Sequence, residues 1–199
     1  MTLVFSKVQD NPTDSLKSRV ARLYHLVSAK GTESGMGADY FIKFSEEVQP
    51  GVFTPFYLQV ILPTTNQFAR PVDRKLAVAS YTKTLCESTA FAQRYAKGWG
   101  FTCNSLLNIL KNAADVTAGV GDDIVNEADV DDIGFGIGFT PLNTCKGRAH
   151  DDFPEISDVG KWVSDYLKAA NQRHGGAIIG FVQNRLDDEA KAAIAPYLQ

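Results

Sequence analysis

The sequence predicts an all-α protein, a solenoid of stacked antiparallel helix pairs, on three observations. Apolar residues recur at i, i+3, i+4 and i+7 through almost every ordered stretch. No pair of segments shows the strict alternation of half-buried strands. Helix starts near residues 12, 51 and 91 fall about 40 residues apart, each opening a helix, a short turn and a second helix.

The elements follow in order. Leu16, Val20, Leu23, Tyr24 and Val27 line one helical face, with Asn11 as expected cap, Pro12 in the first position, Asp14 in the first turn and Gly31 as the stop. A second helix carries Phe41, Ile42, Phe44 and Val48 and ends near Pro50-Gly51. Phe53, Phe56, Tyr57, Val60 and Ile61 make a complete stripe that closes near Pro63 and Asn66. Residues 71 to 87 have two stripes, Val72, Leu76 and Ala79 against Val78, Tyr81 and Leu85, so that helix must be packed on more than one face. A single helix is expected from Phe91 to Ala114, with Cys103, Leu106, Leu107 and Leu110 in register. After a long break come Ile156, Val159, Val163, Tyr166, Leu167 and Ala170, then Ile178 to Val182, then Ala190, Ala193, Ile194, Tyr197 and Leu198 behind the acidic turn Asp187, Asp188 and Glu189.

The spacing is in the range of HEAT and armadillo arrays, so the fold class is a HEAT-repeat α-solenoid; a helical bundle is the blander alternative. Residues 1–199 read as one region of about three helix pairs plus terminal helices. Leu3, Val4, Phe5 and Val8 are apolar enough to want a preceding neighbour. This suggests a fragment that could self-associate through an exposed N-terminal end.

Residues 115–155 form a long acidic insertion. Residues 115–158 hold 11 acidic and 2 basic side chains, whereas the rest of the chain holds 12 acidic and 18 basic. Asp122, Asp123, Glu127, Asp129, Asp131 and Asp132 make the densest part and are the candidate partner contacts. Two readings stand: a solvated loop extended by its own charge, or a contact strip for a basic partner. Downstream, Ile133, Phe135, Ile137, Phe139 and Leu142 alternate with glycine and are too apolar to leave in water, so the insertion is expected to be anchored there rather than to form a ligand pocket.

Composition and motifs exclude much else. A net charge of -3 leaves no cationic excess for nucleic acid, and no apolar run reaches the ~20 residues of a membrane span. Lys7, Lys17 and Asp10 interrupt any signal peptide, so a soluble intracellular protein is expected. Cys86, Cys103 and Cys145 give neither a disulfide framework nor a C-x-x-C site. Gly134, Gly136 and Gly138 do not form a dinucleotide fingerprint. A calcium loop from Asp129 fails at Ile133 and Thr140. His25, His150 and His174 are scattered, Cys145 with His150 lacks further ligands, and no geometry supports an enzyme using Cys103 or His150. No cofactor, metal or catalytic activity is expected.

From Pro50 onward, PGVFTPFYLQVILPTTNQFARPVDRKLAVASYTKTL resembles the C-terminal HEAT repeats of the CAS exportin family of karyopherin-β receptors. The match includes Phe53, Ile61-Leu62-Pro63, Asp73, Arg74, Lys75, Ala77, Val78, Thr82 and Leu85, then Tyr95, Trp99 and the Leu106 to Leu110 run. The acidic segment with Asp131, Asp132 and the aromatics from Phe135 to Leu142 looks like the family's own, with Lys146 a looser match. The resemblance implies a nuclear export receptor that shuttles between nucleus and cytoplasm and binds importin-α together with Ran-GTP, this chain being its C-terminal end. The alternative is a generic HEAT-repeat scaffold or regulatory subunit.

Overall fold

The computed structural model of the chain describes residues 2–10, 12–111, 116 and 151–199. Among them all regular structure is helical, in a HEAT-like stack as the periodicity predicts. The helices are α1 (Thr2–Asp10), α2 (Asp14–Ala29), α3 (Ala38–Val48), α4 (Phe53–Phe56), α5 (Leu62–Asn66), α6 (Pro71–Glu87), α7 (Thr89–Ala92), α8 (Ala96–Leu110), α9 (Val159–Arg173), α10 (Ala177–Arg185) and α11 (Asp188–Leu198). Of the insertion expected over 115–155, only Val116 and residues 151–155 are described.

The N-terminal expectation is corrected for Phe5 and Val8, while the side chains of Leu3 and Val4 lie outside the described residues. Phe5 and Val8 are buried within the chain, and the Phe5 ring meets Phe56 edge-on at 5.2 Å. The neighbour they want is a later helix of the same molecule, which removes the basis for self-association through them. The cap of α2 is also corrected: Thr13, with extended backbone at ψ 155°, accepts from the Leu16 N–H at 3.2 Å, while Asn11 lies outside the described residues. Pro12 therefore precedes the cap.

Beyond Gly31, at φ +74°, α3 buries Phe41 and Ile42. Glu46 then closes its turn by accepting from the N–H groups of Gly51 and Phe53. From Phe53 to Asn66 the backbone is helical throughout, with a π-helical turn at Tyr57–Ile61 between α4 and α5. Pro63 has no N–H to give to Gln59, and its ring crowds that carbonyl in an ordinary α-helix. The wider turn lies just ahead of this position, and the helix passes the proline to end at Asn66, as the sequence predicts.

The two stripes of α6 are both buried. Leu76, Ala77, Val78, Ala79, Ser80, Tyr81 and Thr82 have almost no exposed surface. The helix packs on α2 and on α8 and α9, and its small residues let those neighbours approach closely. It is the centre of the stack.

The helix expected from Phe91 to Ala114 is two pieces. Ser88 caps α7 through the Phe91 N–H, and the backbone leaves helical geometry at Gln93 and Tyr95 before α8 begins. The cause comes from far along the chain. The Arg185 guanidinium donates to the carbonyls of Phe91 and Ala92 at 3.1 and 2.5 Å, which occupies the acceptors that a continuous helix would use. Gly100 makes that approach possible, because a Cβ there would lie 2.8 Å from the Arg185 carbonyl oxygen.

A run of aromatic rings ties these helices together. Phe5 meets Phe56, Phe56 stacks on Phe41, Phe41 meets Tyr24, Tyr24 meets Tyr57, and Tyr57 meets Phe91, with centroid separations of 5.2, 6.1, 5.2, 5.5 and 5.3 Å. Edge-to-face pairs of this kind add about 0.5–1.5 kcal/mol each beyond the area they bury. The C-terminal helices instead seal with aliphatic residues: Val159, Val163, Leu167, Ile178 and Ile194. Asp158 and Asp187 cap α9 and α11, the latter from the predicted acidic turn.

Candidate partner-binding surface

Asp122, Asp123, Glu127, Asp129, Asp131 and Asp132 lie outside the described residues, as do the aromatics from Phe135 to Leu142, Cys145, Lys146 and His150. What is described is where the acidic segment rejoins the fold. Asp151 pairs with Lys75 of α6 at 2.8 Å and accepts the Phe153 N–H at 2.9 Å. Asp152 lies 3.7 Å from Arg22 of α2. Phe153 sits beneath Lys83, 5.6 Å from ring centroid to ammonium.

These contacts belong to a charged face built by α2 and the start of α6. Arg22 and Arg70 both reach Asp73, at 3.3 and 2.6 Å, and Arg74 donates to the Phe68 carbonyl at 2.6 Å. Asp73 and Lys75 are buried, whereas their partners Arg22, Arg70 and Asp151 each keep a share of solvent. The sequence signal was RPVDRK: Arg70 and Asp73 are three apart and therefore neighbours on one helical turn.

A second polar cluster was not legible in the sequence. The Glu87 carboxylate accepts from the Thr32 N–H at 2.8 Å, from its hydroxyl at 2.9 Å, and from the Tyr166 hydroxyl. Burial alone would raise its pKa, but the Thr32 N–H, Tyr166, the Thr32 hydroxyl and Lys83 hold it below the usual carboxylate range. Asp39 caps α7 in the same manner, taking the Thr89 N–H and hydroxyl, the Ala90 N–H and the Ser88 hydroxyl. These residues lie 49 to 79 apart in sequence, which no local pattern encodes.

The reactive side chains are placed for packing. Burial pushes the Cys86 and Cys103 thiols up to about 12, leaving them protonated and unreactive at neutral pH. His25 is buried among the rings of Tyr24, Phe68 and Tyr81, hydrogen-bonds Thr65 at 2.8 Å, and is held neutral by a pKa lowered to about 3. His174 is exposed at the end of α9. Among the described residues no group of three potential ligands could hold a metal ion.

Stacked helix pairs, with all regular structure among the described residues helical, define a class: a HEAT-like α-solenoid. The chain belongs to the CAS/CSE family, since the family model "CAS/CSE protein, C-terminus" matches residues 1–197. It is similar to the importin-alpha re-exporter of Schizosaccharomyces pombe, 23% identical over 201 residues that cover 98% of this chain and 20% of that protein. The importin alpha re-exporter of Saccharomyces cerevisiae is 24% identical over 191 residues, 94% of this chain and 19% of the relative. Exportin-2 of Drosophila melanogaster is 24% identical over 168 residues, 79% and 17% respectively. The chain spans about a fifth of the length of these relatives.

Proposed function

We propose that this chain is the C-terminal part of a nuclear export receptor that returns importin-α to the cytoplasm in a Ran-GTP-dependent complex, shuttling between the two compartments. The observation that carries the reading is the family match over residues 1–197, joined to relatives named for importin-α re-export. The chain itself performs no chemistry. Its part is mechanical: small rotations between neighbouring helix pairs change the curvature of a solenoid, and two ligands that favour the same curvature strengthen one another's binding.

In this reading the acidic segment is the contact strip. Asp122, Asp123, Glu127, Asp129, Asp131 and Asp132 suit a partner with basic surface, where complementary charge mainly raises association rate and specificity. The charged face of α2 and α6 supports this, since it fixes Asp151 and Asp152, two acids near the end of the segment, against the stack.

The test is a pull-down of importin-α by the full-length receptor, with and without Ran-GTP, using wild type and a variant in which Asp122, Asp123, Asp129, Asp131 and Asp132 are changed to Asn. Capture that requires Ran-GTP, and that is weakened and made less salt-dependent by the substitutions, supports both parts of the proposal. Capture unchanged at low and high salt would reduce the strip to a solvated loop. Failure to capture importin-α under any condition would leave a scaffold of another kind.

A further inference from the structure

Between the Phe53–Ile61 run and α7–α8 lies an open groove of about 530 Å³. Its floor is aromatic, made by Phe53, Tyr57, Phe91 and Tyr95, and its walls carry Leu58 and Phe101. Those two side chains are 38% and 49% exposed, and they stand together over an aromatic floor. The rim is basic: Arg94 and Lys97 are exposed, and among the described residues no carboxylate lines the groove. The only acid paired with Arg94 among the described residues is Glu46, at 3.9 Å, and Glu46 is already committed to the Gly51 and Phe53 N–H groups. The Tyr95 hydroxyl is buried and has no hydrogen-bond partner among the described residues.

We propose that this groove is a docking site for a partner peptide that seats a large apolar side chain between Leu58 and Phe101 and sets adjacent carboxylates against Arg94 and Lys97. The apolar part follows from the exposed area, which gains by leaving water on binding. The acidic part follows from the rim: its two exposed cations repel a basic peptide and attract an acidic one. This proposal does not depend on the export reading.

The experiment uses the 199-residue chain and two fluorescein-labelled synthetic peptides, each with two phenylalanines, one flanked by glutamates and the other by glutamines. Fluorescence anisotropy should give saturable binding of the glutamate peptide, about tenfold weaker binding of the glutamine peptide, and loss of that difference in high salt. Arg94→Glu with Lys97→Glu should abolish the preference for glutamate and leave the glutamine peptide unaffected. Leu58→Ser with Phe101→Ser should weaken both peptides, with an unchanged circular dichroism melt showing that the stack is intact. Absence of saturable binding overturns the proposal, as does equal binding of the two peptides or indifference to the Leu58 and Phe101 changes. Concentration-dependent dimerisation lost on Phe101→Ser would make a second copy the occupant and overturn it likewise.

Discussion

The two ends of α6 are held by the same kinds of side chain used in two different ways. At its C-terminal end the charges meet backbone and hydroxyl groups: Glu87 takes the Thr32 N–H and hydroxyl and the Tyr166 hydroxyl, and Lys83 donates to the Ala29 carbonyl at 2.8 Å, at the end of α2. Asp39 caps the helix that follows. At the N-terminal end, apart from Arg74 on the Phe68 carbonyl, charges meet charges: Arg70 and Arg22 on Asp73, Arg22 near Asp152, and Lys75 on Asp151. The first arrangement satisfies the orphan groups of helix ends and fixes one loop on another, which salt barely affects. The second depends on ionic strength through both partners. The firm end joins helices that must keep their register. The tunable end is where the acidic segment rejoins the stack.

Removing Glu87 should therefore have the largest effect. Glu87→Ala leaves the Thr32 N–H and the Tyr166 hydroxyl without their acceptor and uncouples α2, α6 and α9 at once, so equilibrium urea unfolding should show a loss of about 2–3 kcal/mol. The loss should be nearly the same in 1 M salt, a condition chosen because it screens exposed charges over about 3 Å. A loss that faded with salt would put this end in the same class as the other. Because the carboxyl is held below its unfolded value, its contribution is complete above that value, about 4.3, and disappears as pH falls through the lower folded one. The stability gap between wild type and Glu87→Gln should therefore be widest near neutrality and close in acid. A gap that widened on acidification would reverse the sign of the assignment.

Asp39→Asn should follow, at about 1 kcal/mol, since an amide oxygen still accepts at an N-terminus but brings no charge to the helix dipole. Thermal unfolding compared with Asp39→Ala, which loses the acceptor too, separates the two components: the alanine variant should melt lower. Equal melting of the two would mean that charge, and not the cap bond, holds this joint.

The parts of the fold legible in the sequence are those written in local spacing. The stripe from Phe53 to Ile61, the doubly buried α6 and the acidic turn opening α11 are all periodic or capping signals within a few residues of one another. The split between α7 and α8 was not legible, because Arg185, which occupies the carbonyls of Phe91 and Ala92, lies more than 90 residues away. The burial of Phe5 was not legible for the same reason: its partner, Phe56, belongs to another helix pair. At the candidate surface the charge segregation was visible in composition, and the Arg22–Asp73–Arg70 arrangement was half visible in the spacing of Arg70 and Asp73. Glu87, Asp39 and the groove between Leu58 and Phe101 were invisible, because each requires knowing which helices lie side by side.

The smallest effect, and the most informative for the comparison, concerns Lys75. Lys75→Met keeps the buried stem and removes the ammonium, while Asp151 retains its bond from the Phe153 N–H and a share of solvent, its side chain being 22% exposed. The pair is thus neither fully buried nor fully hydrated, and the loss should be about 1 kcal/mol or less. A double-mutant cycle of Lys75→Met with Asp151→Asn isolates the coupling from the changes in packing and helix propensity that each substitution brings. The coupling should be about 0.5–1 kcal/mol at low ionic strength and fall by half or more in 1 M salt. If it persisted undiminished, the pair would be acting as a desolvated joint like Glu87 with Thr32, and the acidic segment would leave α6 from an anchor as firm as the one at the helix's other end.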